Sequence, residues 1–363
     1  MWKKIEDWLQ VRIGLDELVR TQLTEYRVPK NINLFYTFGF TAMIGYLIQV
    51  ISGVFLMIYY IPHPDYAFGS VQAIMTRVPF GWLFRQVHIV GGNLMIAAVI
   101  LHMLTVFLMG NYRRPRELTW VGGALMLIIT FIFGISGYLL PWSQLSYWAT
   151  TVVSSIPTAF PVIGDAVARI FKGGDQVSGA TLGRFFALHV AILPPLFMIL
   201  LAVHVFLIRR IGISATPFGI SDEETRPLTE FRKKTHPDGY PFYPYYLQKM
   251  MFMVMIYGAV MFFSMTFLPN LFLSAEANIP ADPLMTPAHI KPEWYFLAPY
   301  EMLRLIPNKF LGISIQIILI GIFILWPFFD SQKEKNILKR PVLRGAFLFL
   351  LATWIVLTFW GRY

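Results

Sequence analysis

The sequence predicts an all-α fold, an integral membrane bundle of seven spanning helices. Its 363 residues are 56% hydrophobic and only 14% charged, whereas charged residues make up about 25% of a soluble domain. Apolar stretches long enough to cross a bilayer recur along the chain. The predicted spans are residues 33–60, 80–109, 119–140, 181–208, 248–273, 311–329 and 341–360.

A charged stretch, MWKKIEDWLQVRIGLDELV, precedes the first span. It lacks the uninterrupted apolar core of a cleavable signal peptide. Its large apolar side chains include Trp2, Ile5, Trp8, Leu9 and Leu15. We therefore expect an amphipathic surface helix whose apolar face meets lipid or, as an equal alternative, caps the bundle.

Basic residues alternate between the two sides of the predicted bundle. The N-terminal arm, the 110–118 loop, the 209–247 segment and the 330–340 loop, with adjoining helix ends, hold about 21 of the 30 Lys and Arg residues. The positive-inside rule then places the N-terminus in the cytoplasm and the C-terminus in the periplasm of a bacterial inner membrane, or their equivalents in another energy-transducing membrane. The net charge of +10 thus reflects topology, and no nucleic-acid partner is expected.

Four histidines fall in the second and fourth spans. His88 and His102 are fourteen residues apart, and His189 and His204 are fifteen apart. On a helix each pair is separated by about 21–22 Å and lies on one broad face. Both spans begin on the outer side and are parallel, so His88 would meet His189 near the outer surface and His102 would meet His204 near the inner one.

This pattern predicts two haem groups, each held by two imidazoles. A lone histidine in a membrane helix usually packs or relays protons, but ionisable groups there are costly, and two pairs at nearly equal spacing favour metal ligation. Zinc would have only two ligands at each level. The chain has no cysteine, which excludes disulfides, iron–sulfur ligation by this chain and thioether attachment of haem.

Glycines and arginines support the haem interpretation. Two pairs of glycines repeat the fourteen-residue spacing and could let helix backbones approach a flat ring, although small residues also serve plain helix packing; these are Gly39, Gly53, Gly123 and Gly137. Arginines near the two histidine levels could pair with haem propionates; these are Arg85, Arg184, Arg113, Arg114 and Arg209. Positive-inside anchoring is the alternative for Arg209.

Several motifs resemble the cytochrome b family of the quinol:cytochrome c (plastocyanin) oxidoreductases. The most specific is KPEWYFLAPYEMLRLIPNK at 291–309, and the others are NYRRPRELTW at 111–120, GYLLPWSQLSYW at 137–148 and ATLGRFFALH at 180–189. The first four helices look like the chloroplast-type form, in which the last three helices form a separate polypeptide. Here both parts are fused, and ADPLMTPAHIKPEWYF is closer to the respiratory single-chain form.

The resemblance implies a domain division and a reaction. Residues 1–210 would be the di-haem domain, 211–247 a polar cytoplasmic linker, and 248–363 a subunit IV-like domain with the quinol-pocket loop at 281–310. Quinol would be oxidised on the outer side. One electron would pass to a Rieske iron–sulfur protein and a c-type cytochrome, and the other through two b haems to an inner quinone site. The resemblance also implies a homodimeric complex that contributes to the proton motive force.

The proposed base for quinol oxidation is Glu293. A carboxylate at the membrane edge, with its pKa raised by an apolar setting, suits proton abstraction. The resemblance adds Tyr295 and Tyr138 as hydrogen-bonding neighbours, and Trp294 belongs to its Pro-Glu-Trp-Tyr quartet. The apolar part of the pocket could come from Phe131, Ile135, Pro292, Phe296 and Leu297.

The chain departs from the family pattern at two positions. Thr37 stands where the chloroplast-type protein has the cysteine that tethers a third haem, so no covalent third haem is expected. Met250 follows Lys249 where the respiratory family has an aspartate at the inner quinone site. His236, Asp238 and Lys249 are candidate substitutes for that group.

Two other functions could use buried histidines. A di-haem b membrane anchor of a quinone-reducing dehydrogenase shares the bis-histidine haems but has no need of the 292–295 quartet or of three further helices. A transporter or channel could use the histidines as a proton relay, and it would show no haem absorption.

Overall fold

The computed structural model describes residues 2–217, 236, 238–288 and 290–363. Most of the predicted linker, residues 218–235 and 237, therefore lies outside the described residues. The helices of the described residues are α1 (Trp2–Ile13), α2 (Leu15–Val19), α3 (Phe38–Tyr59), α4 (Ala67–Thr76), α5 (Gly81–Leu108), α6 (Glu117–Leu139), α7 (Gln144–Ser155), α8 (Gly164–Lys172), α9 (Gly179–Ala187), α10 (Leu193–Ile211), α11 (Leu247–Phe267), α12 (Leu297–Leu305), α13 (Lys309–Phe329) and α14 (Pro341–Arg362).

Seven helical segments are long and apolar enough to cross a membrane, which confirms the predicted fold class. They are Leu34–Tyr59, Gly81–Leu108, Glu117–Leu139, Gly179–Ile211, Phe242–Phe267, Lys309–Phe329 and Pro341–Arg362. The largest error is at the fifth span, which ends at Phe267 and not at residue 273. Pro269 explains the early end, because a proline disfavours helical geometry at the residue before it.

The first four spans form a bundle around a shared core. α3 packs along α5, and α10 packs along α6. The described helices α5, which carries His88 and His102, and α10, which carries His204, are not packed closely against each other. Between the two histidine levels the four helices meet in a layer of side chains that includes Tyr46, Met95, Met126 and Phe197. The bundle is therefore closed at its middle and looser at each histidine level.

The last three spans pack around the first four. α11 contacts α3 and α5, and α13 contacts α6. On the inner side, the strands β1 (Arg27–Val28) and β2 (Tyr240–Pro241) form a short antiparallel sheet. Arg113 and Tyr112 from the loop after α5 meet Asp330 and Arg340 from the loop after α13. These contacts tie the two halves of the chain together.

The outer side contains short helices that the sequence analysis did not predict. These are α4, α7, α8 and α12, each of which is too short to span a membrane. Ser143 caps the start of α7, and its backbone pairs with Pro280. The segment leading toward Glu293 is thereby attached to the outer end of α6. At the N-terminus α1 is helical as predicted and buries none of its described residues.

Candidate functional site

His88 of α5 and His189 face each other across the bundle. Their ring centres are 6.3 Å apart, and the ring planes are inclined at 73°. Two imidazole nitrogens that bind one metal ion lie about 4 Å apart, with ring centres roughly 2 Å farther apart. The observed separation therefore fits one metal atom between the two rings. Among the described residues, no group of three or more His, Cys, Asp or Glu side chains could hold a metal ion.

A serine fixes the orientation of each outer imidazole. Ser52 Oγ lies 2.9 Å from His88 Nδ1, and Ser136 Oγ lies 3.0 Å from His189 Nδ1. Each serine donates its own hydroxyl proton to a backbone carbonyl of its own helix. Ser52 donates to the Ile48 carbonyl, and Ser136 donates to the Phe133 carbonyl. The serine oxygen can then accept from Nδ1–H, which leaves Nε2 unprotonated and available for a metal.

Sequence reasoning missed both serines. The tripeptide Ile-Ser-Gly occurs at residues 51–53 and again at 135–137. Each copy contains one glycine of the fourteen-residue pattern, so the repeat was the signal that could have identified them.

Each of the four predicted glycines contacts one of the four imidazoles. A Cβ at Gly53 would lie 3.1 Å from His88 Cε1, and one at Gly137 would lie 2.7 Å from His189 Cε1. At the inner level the corresponding distances are 2.8 Å from Gly39 to His102 and 3.3 Å from Gly123 to His204. The glycines thus make room for the imidazole rings, and the expectation that they also make room for a flat cofactor stays a prediction.

The inner histidines, His102 and His204, lie near each other inside the bundle. The carbonyl of Thr119 lies near the His204 ring, but no described residue makes a well-formed hydrogen bond to its buried Nδ1. The inner pair therefore lacks the serine partners of the outer pair. Its fit to a cofactor rests on the two glycine contacts and on the gap between α5 and α10.

A wide turn explains why the second pair is spaced by fifteen residues. Leu188–Ile192 forms a π-helical turn between α9 and α10, and it begins beside His189. Such a turn holds more residues than an α-helical turn. The extra residue is accommodated in this turn. Fifteen residues of this segment therefore turn about the helix axis by nearly the same angle as fourteen residues of α5. Pro194, at the start of α10, favours this widening because it lacks an amide proton.

The predicted propionate partners lie in different settings. No described residue forms a hydrogen bond or ion pair with the half-buried Arg85, so its guanidinium is available to a bound anion. Arg184 donates to the carbonyls of Arg169 and Ile170 at the end of α8, and Arg114 is exposed.

On the inner side, two of these arginines already have protein partners. Arg113 contacts Asp330 and the Lys333 carbonyl. Arg209 lies over the rings of Tyr26 and Phe242. Arg85 therefore has the setting that best fits a propionate partner.

Glu293 lies partly buried at the outer end of the bundle, directly before a short 3₁₀ turn, Trp294–Phe296. The Tyr138 hydroxyl at the end of α6 lies close enough to the Glu293 carboxylate to act on it as a proton donor. Burial raises the pKa of Glu293 to about 7, although the interaction with Tyr138 opposes the rise. A carboxylate with this pKa can take up and release a proton near neutral pH.

Tyr295 is anchored against α6. Its ring stacks on Phe131 at 5.8 Å with an angle of 13°. Its hydroxyl packs on the backbone of Gly134, where a Cβ would come within 2.4 Å. Burial, and then the nearby Glu293 charge, raise the pKa of Tyr295, so the hydroxyl remains a hydrogen-bond donor. Gly134 was not predicted, because its partner is distant in sequence.

The remaining residues of the predicted pocket surround this stack. Phe296 lies 5.6 Å from Phe131 between ring centres, and Leu297 is buried. Ile135 packs with the outer cluster that contains Leu139 and Trp142, and Pro292 is half-buried. The structure thus brings Tyr138, Glu293 and Tyr295 together with an apolar wall.

The candidates for the inner quinone site are held by the backbone. Lys249 Nζ donates to the Ile32 carbonyl at 3.1 Å, and His236 Nε2 lies 2.8 Å from the Ile213 carbonyl. Asp238 is exposed. These residues lie near the inner side of the bundle. Their assignment remains a prediction.

Known proteins resemble the chain along almost its whole length. The family model described as "Cytochrome b/b6/petB" matches residues 23–212, and the one described as "Cytochrome b(C-terminal)/b6/petD" matches residues 280–363. The chain is 36% identical to cytochrome b of Rickettsia prowazekii (strain Madrid E) over 98% of its length and 86% of the relative. It is 37% identical to cytochrome b of Allochromatium vinosum, covering 98% and 87%.

A solved structure titled "Hyperthermophilic respiratory Complex III" superposes with a TM-score of 0.89 and 41% identity. The match covers 98% of this chain and 91% of the other. With the paired imidazoles and the Pro-Glu-Trp-Tyr loop on the outer side, these similarities lead to one assignment: the chain belongs to the cytochrome b family.

Proposed function

We propose that this chain, a cytochrome b subunit of a quinol:cytochrome c oxidoreductase, oxidises quinol on its outer side with Glu293 as the proton acceptor. The observation that supports this most strongly is the pairing of Glu293 with Tyr138 in an apolar setting. This pair lies at the same end of the bundle as the facing imidazoles of His88 and His189.

In the proposed reaction a quinol hydroxyl donates its proton to the Glu293 carboxylate. Burial keeps the pKa of Glu293 near 7, so the group is a strong enough base to accept the proton and a weak enough base to release it to water outside. Tyr138 holds the carboxylate, and Tyr295 and Phe131 form a rigid wall beside it. The two electrons of quinol leave to separate acceptors, a Rieske iron–sulfur protein and a bound haem, and its second hydroxyl proton is also released to water on the outer side.

We further propose two non-covalent b haems. His88 and His189 would hold the outer one, and His102 and His204 the inner one, with Arg85 paired to an outer propionate. Haem, when bound, would carry single electrons through the low-dielectric interior toward an inner quinone site. Serine hydrogen bonds at the outer pair orient the Nε2 atoms, and the glycines allow the rings to reach the centre.

The proposed assembly includes a Rieske protein, a c-type cytochrome and a second copy of the complex. The N-terminus would lie on the cytoplasmic side. A di-haem anchor of a dehydrogenase would share the imidazole pairs. The family match at residues 280–363 and the Glu293–Tyr138 pair favour the quinol-oxidising complex instead.

Substituting Glu293 tests the base. We expect Glu293→Gln to lower quinol oxidation by the intact complex at least tenfold, with the haem spectrum unchanged. The wild-type rate should fall below pH 7, because Glu293 becomes protonated there and can no longer accept a proton. Asp165→Asn, at an exposed outer carboxylate on α8, is the matched control. An unchanged rate in Glu293→Gln would contradict the assignment.

Haem number is tested separately. A pyridine haemochrome assay with a redox-titrated spectrum of the purified complex should give two b-type haems per chain with distinct midpoint potentials. A single haem, or none, would exclude the pairing of the four histidines described above.

A further inference from the structure

One hydrogen bond crosses from the quinol loop to the helix of the outer histidine. The Trp294 indole Nε1 donates to Asn93 Oδ1 at 2.9 Å. Trp294 directly follows Glu293, and Asn93 lies on α5 five residues after His88. The bond therefore joins the loop that carries the proposed base to the haem domain.

The Asn93 amide has a fixed orientation. Its Nδ2 donates to the Ile89 carbonyl at 3.0 Å, so its Oδ1 must point away from that carbonyl and toward Trp294. Both side chains are half-buried within an apolar region. A hydrogen bond in such a place is not easily replaced by water, and loss of one partner leaves the other unsatisfied.

The loop after Glu293 has two anchors on two different helices. Trp294 is held by Asn93 on α5, and Tyr295 is stacked on Phe131 of α6. The two side chains contact each other edge to face at 5.3 Å. Because Glu293 immediately precedes this turn, the direction of its carboxylate depends on both anchors.

We propose that Asn93 is a positioning residue for quinol oxidation, which through Trp294 holds the loop so that Glu293 stays against Tyr138 and shielded from water. The proposal deepens the proposed function and rests on the role of Glu293 as base. Asn93 itself does not touch the reacting groups.

Loss of this anchor has a definite electrostatic consequence. The titratable groups near Glu293 are Tyr138 on α6, Tyr295 on its own turn and Glu276, which acts on Tyr138. Lys291, two residues before Glu293, is bonded to the Arg362 carbonyl at the end of α14. Neither Asn93 nor Trp294 ionises, so changing them alters no charge. A loosened loop admits water, and the pKa of Glu293 should fall from about 7 toward its ordinary value.

A double-mutant cycle in the intact complex tests the proposal. We expect Asn93→Leu and Trp294→Phe each to lower kcat/KM for quinol by about threefold to tenfold. The double variant should be no worse than either single one, because both remove the same bond. In a plot of rate against pH, the acidic limb is the fall in rate below about pH 7 that protonation of Glu293 causes. This acidic limb should shift to lower pH in all three variants. Asn93→Ser, which retains an oxygen acceptor, should recover part of the rate.

Two controls separate positioning from general damage. Thr105→Val removes a hydrogen bond within the same helix near its inner end and should change neither the rate nor the pH limb. The haem spectrum should remain bis-histidine in every variant. If Asn93→Leu fails to assemble with haem, Trp294→Phe alone must still shift the limb.

Multiplicative losses in the double variant, or an unmoved acidic limb, would overturn the role of Asn93. Glu293→Gln, measured alongside, distinguishes the two hypotheses. If it leaves the limb intact, the base assignment is wrong. If it abolishes the limb while Asn93→Leu and Trp294→Phe leave the limb in place, only the positioning role is wrong.

Discussion

Each imidazole of the two histidine pairs packs its Cε1 edge on a glycine. These contacts differ in length. A Cβ added to the glycine would lie 2.7 Å from the imidazole Cε1 at Gly137 and 2.8 Å at Gly39, but 3.1 Å at Gly53 and 3.3 Å at Gly123. Contacts under 3 Å require the ring or the helix to move. A ligand ring that moves can no longer keep its nitrogen directed at a shared metal atom.

The first prediction concerns Gly137. Gly137→Ala should displace His189 and lower outer-haem content to below about half of the wild-type level, since core overpacking typically costs about 1–3 kcal/mol. Gly122→Ala is the matched control, because its Cβ would meet His204 at an ordinary 3.9 Å. Haem content and the redox-titrated spectrum of the purified complex provide the measurement. Normal outer haem in Gly137→Ala would show that the contact is tolerated.

The serines should set the electronic character of the outer ligands. Ser52→Ala removes the acceptor for His88 Nδ1–H, so the imidazole becomes a weaker donor and stabilises oxidised iron less. We expect the outer-haem midpoint potential to rise by about 20–60 mV, the equivalent of one ordinary hydrogen bond. The inner potential should not change. Thr41→Val, on the same helix, is the control, and a fall in the outer potential would contradict the proposed direction of the hydrogen bond.

At the scale of elements, an ion cluster joins the loops after α5 and α13. Asp330 is bound by both terminal nitrogens of Arg340, at 2.8 and 2.6 Å, and by the Tyr112 hydroxyl at 2.5 Å. Arg113 lies 3.9 Å away. Burial by itself would raise the pKa of Asp330, but the hydrogen bonds from Arg340 and Tyr112 outweigh it and hold the pKa below its usual value.

This cluster should stabilise the contact between the two halves of the chain. Asp330→Asn leaves Arg340 and Arg113 buried without their carboxylate, which should cost about 3 kcal/mol and lower the apparent Tm of the purified complex by several degrees. Asp175→Asn, at an exposed ion pair with Arg169, should have almost no effect.

The pH dependence has a definite sign. Because the folded pKa of Asp330 is lowered, its stabilisation is present above the ordinary aspartate pKa of about 3.9 and is lost as the pH falls through the folded value. A Tm in Asp330→Asn equal to that of the wild type would show that the cluster is not stabilising.

At the scale of the whole molecule, the seven spans set which loops share a side. α7, α8 and the Glu293 loop lie at one end, and the Asp330 cluster and the short β-sheet lie at the other. Of the basic connections, the loops at 110–116 and 330–340 are described and fall at the second end. The positive-inside rule predicts that this end is cytoplasmic, which would place quinol oxidation on the opposite side.

The absence of cysteine makes this topology directly testable. Val162→Cys introduces a thiol at a fully exposed outer position, and Gln332→Cys introduces one at an exposed inner position. In right-side-out vesicles a membrane-impermeant maleimide should label the first and not the second. Both should be labelled after the membrane is permeabilised. The reverse pattern would invert the proposed orientation.

The sequence by itself determined the seven spans, and it predicted the side on which each loop lies and the pairing of the four histidines. These features follow from local properties, because hydropathy over about 20 residues defines a span and helical periodicity defines a face. The same reasoning identified the four glycines as neighbours of the cofactor, and the structure places each of them against a histidine ring. Family motifs added Glu293, Tyr138 and Tyr295 as a group.

Only the tertiary structure decided what surrounds these residues. The Trp294–Asn93 bond joins positions 201 residues apart, and the Asp330–Tyr112 bond joins positions 218 apart. No local pattern encodes such partners, because each depends on how two distant helices are placed side by side. Ser52 and Ser136 became ligand partners for the same reason: the folded bundle brings them to rings on other helices. Hydropathy could predict the spans, but packing alone selected the polar contacts between them.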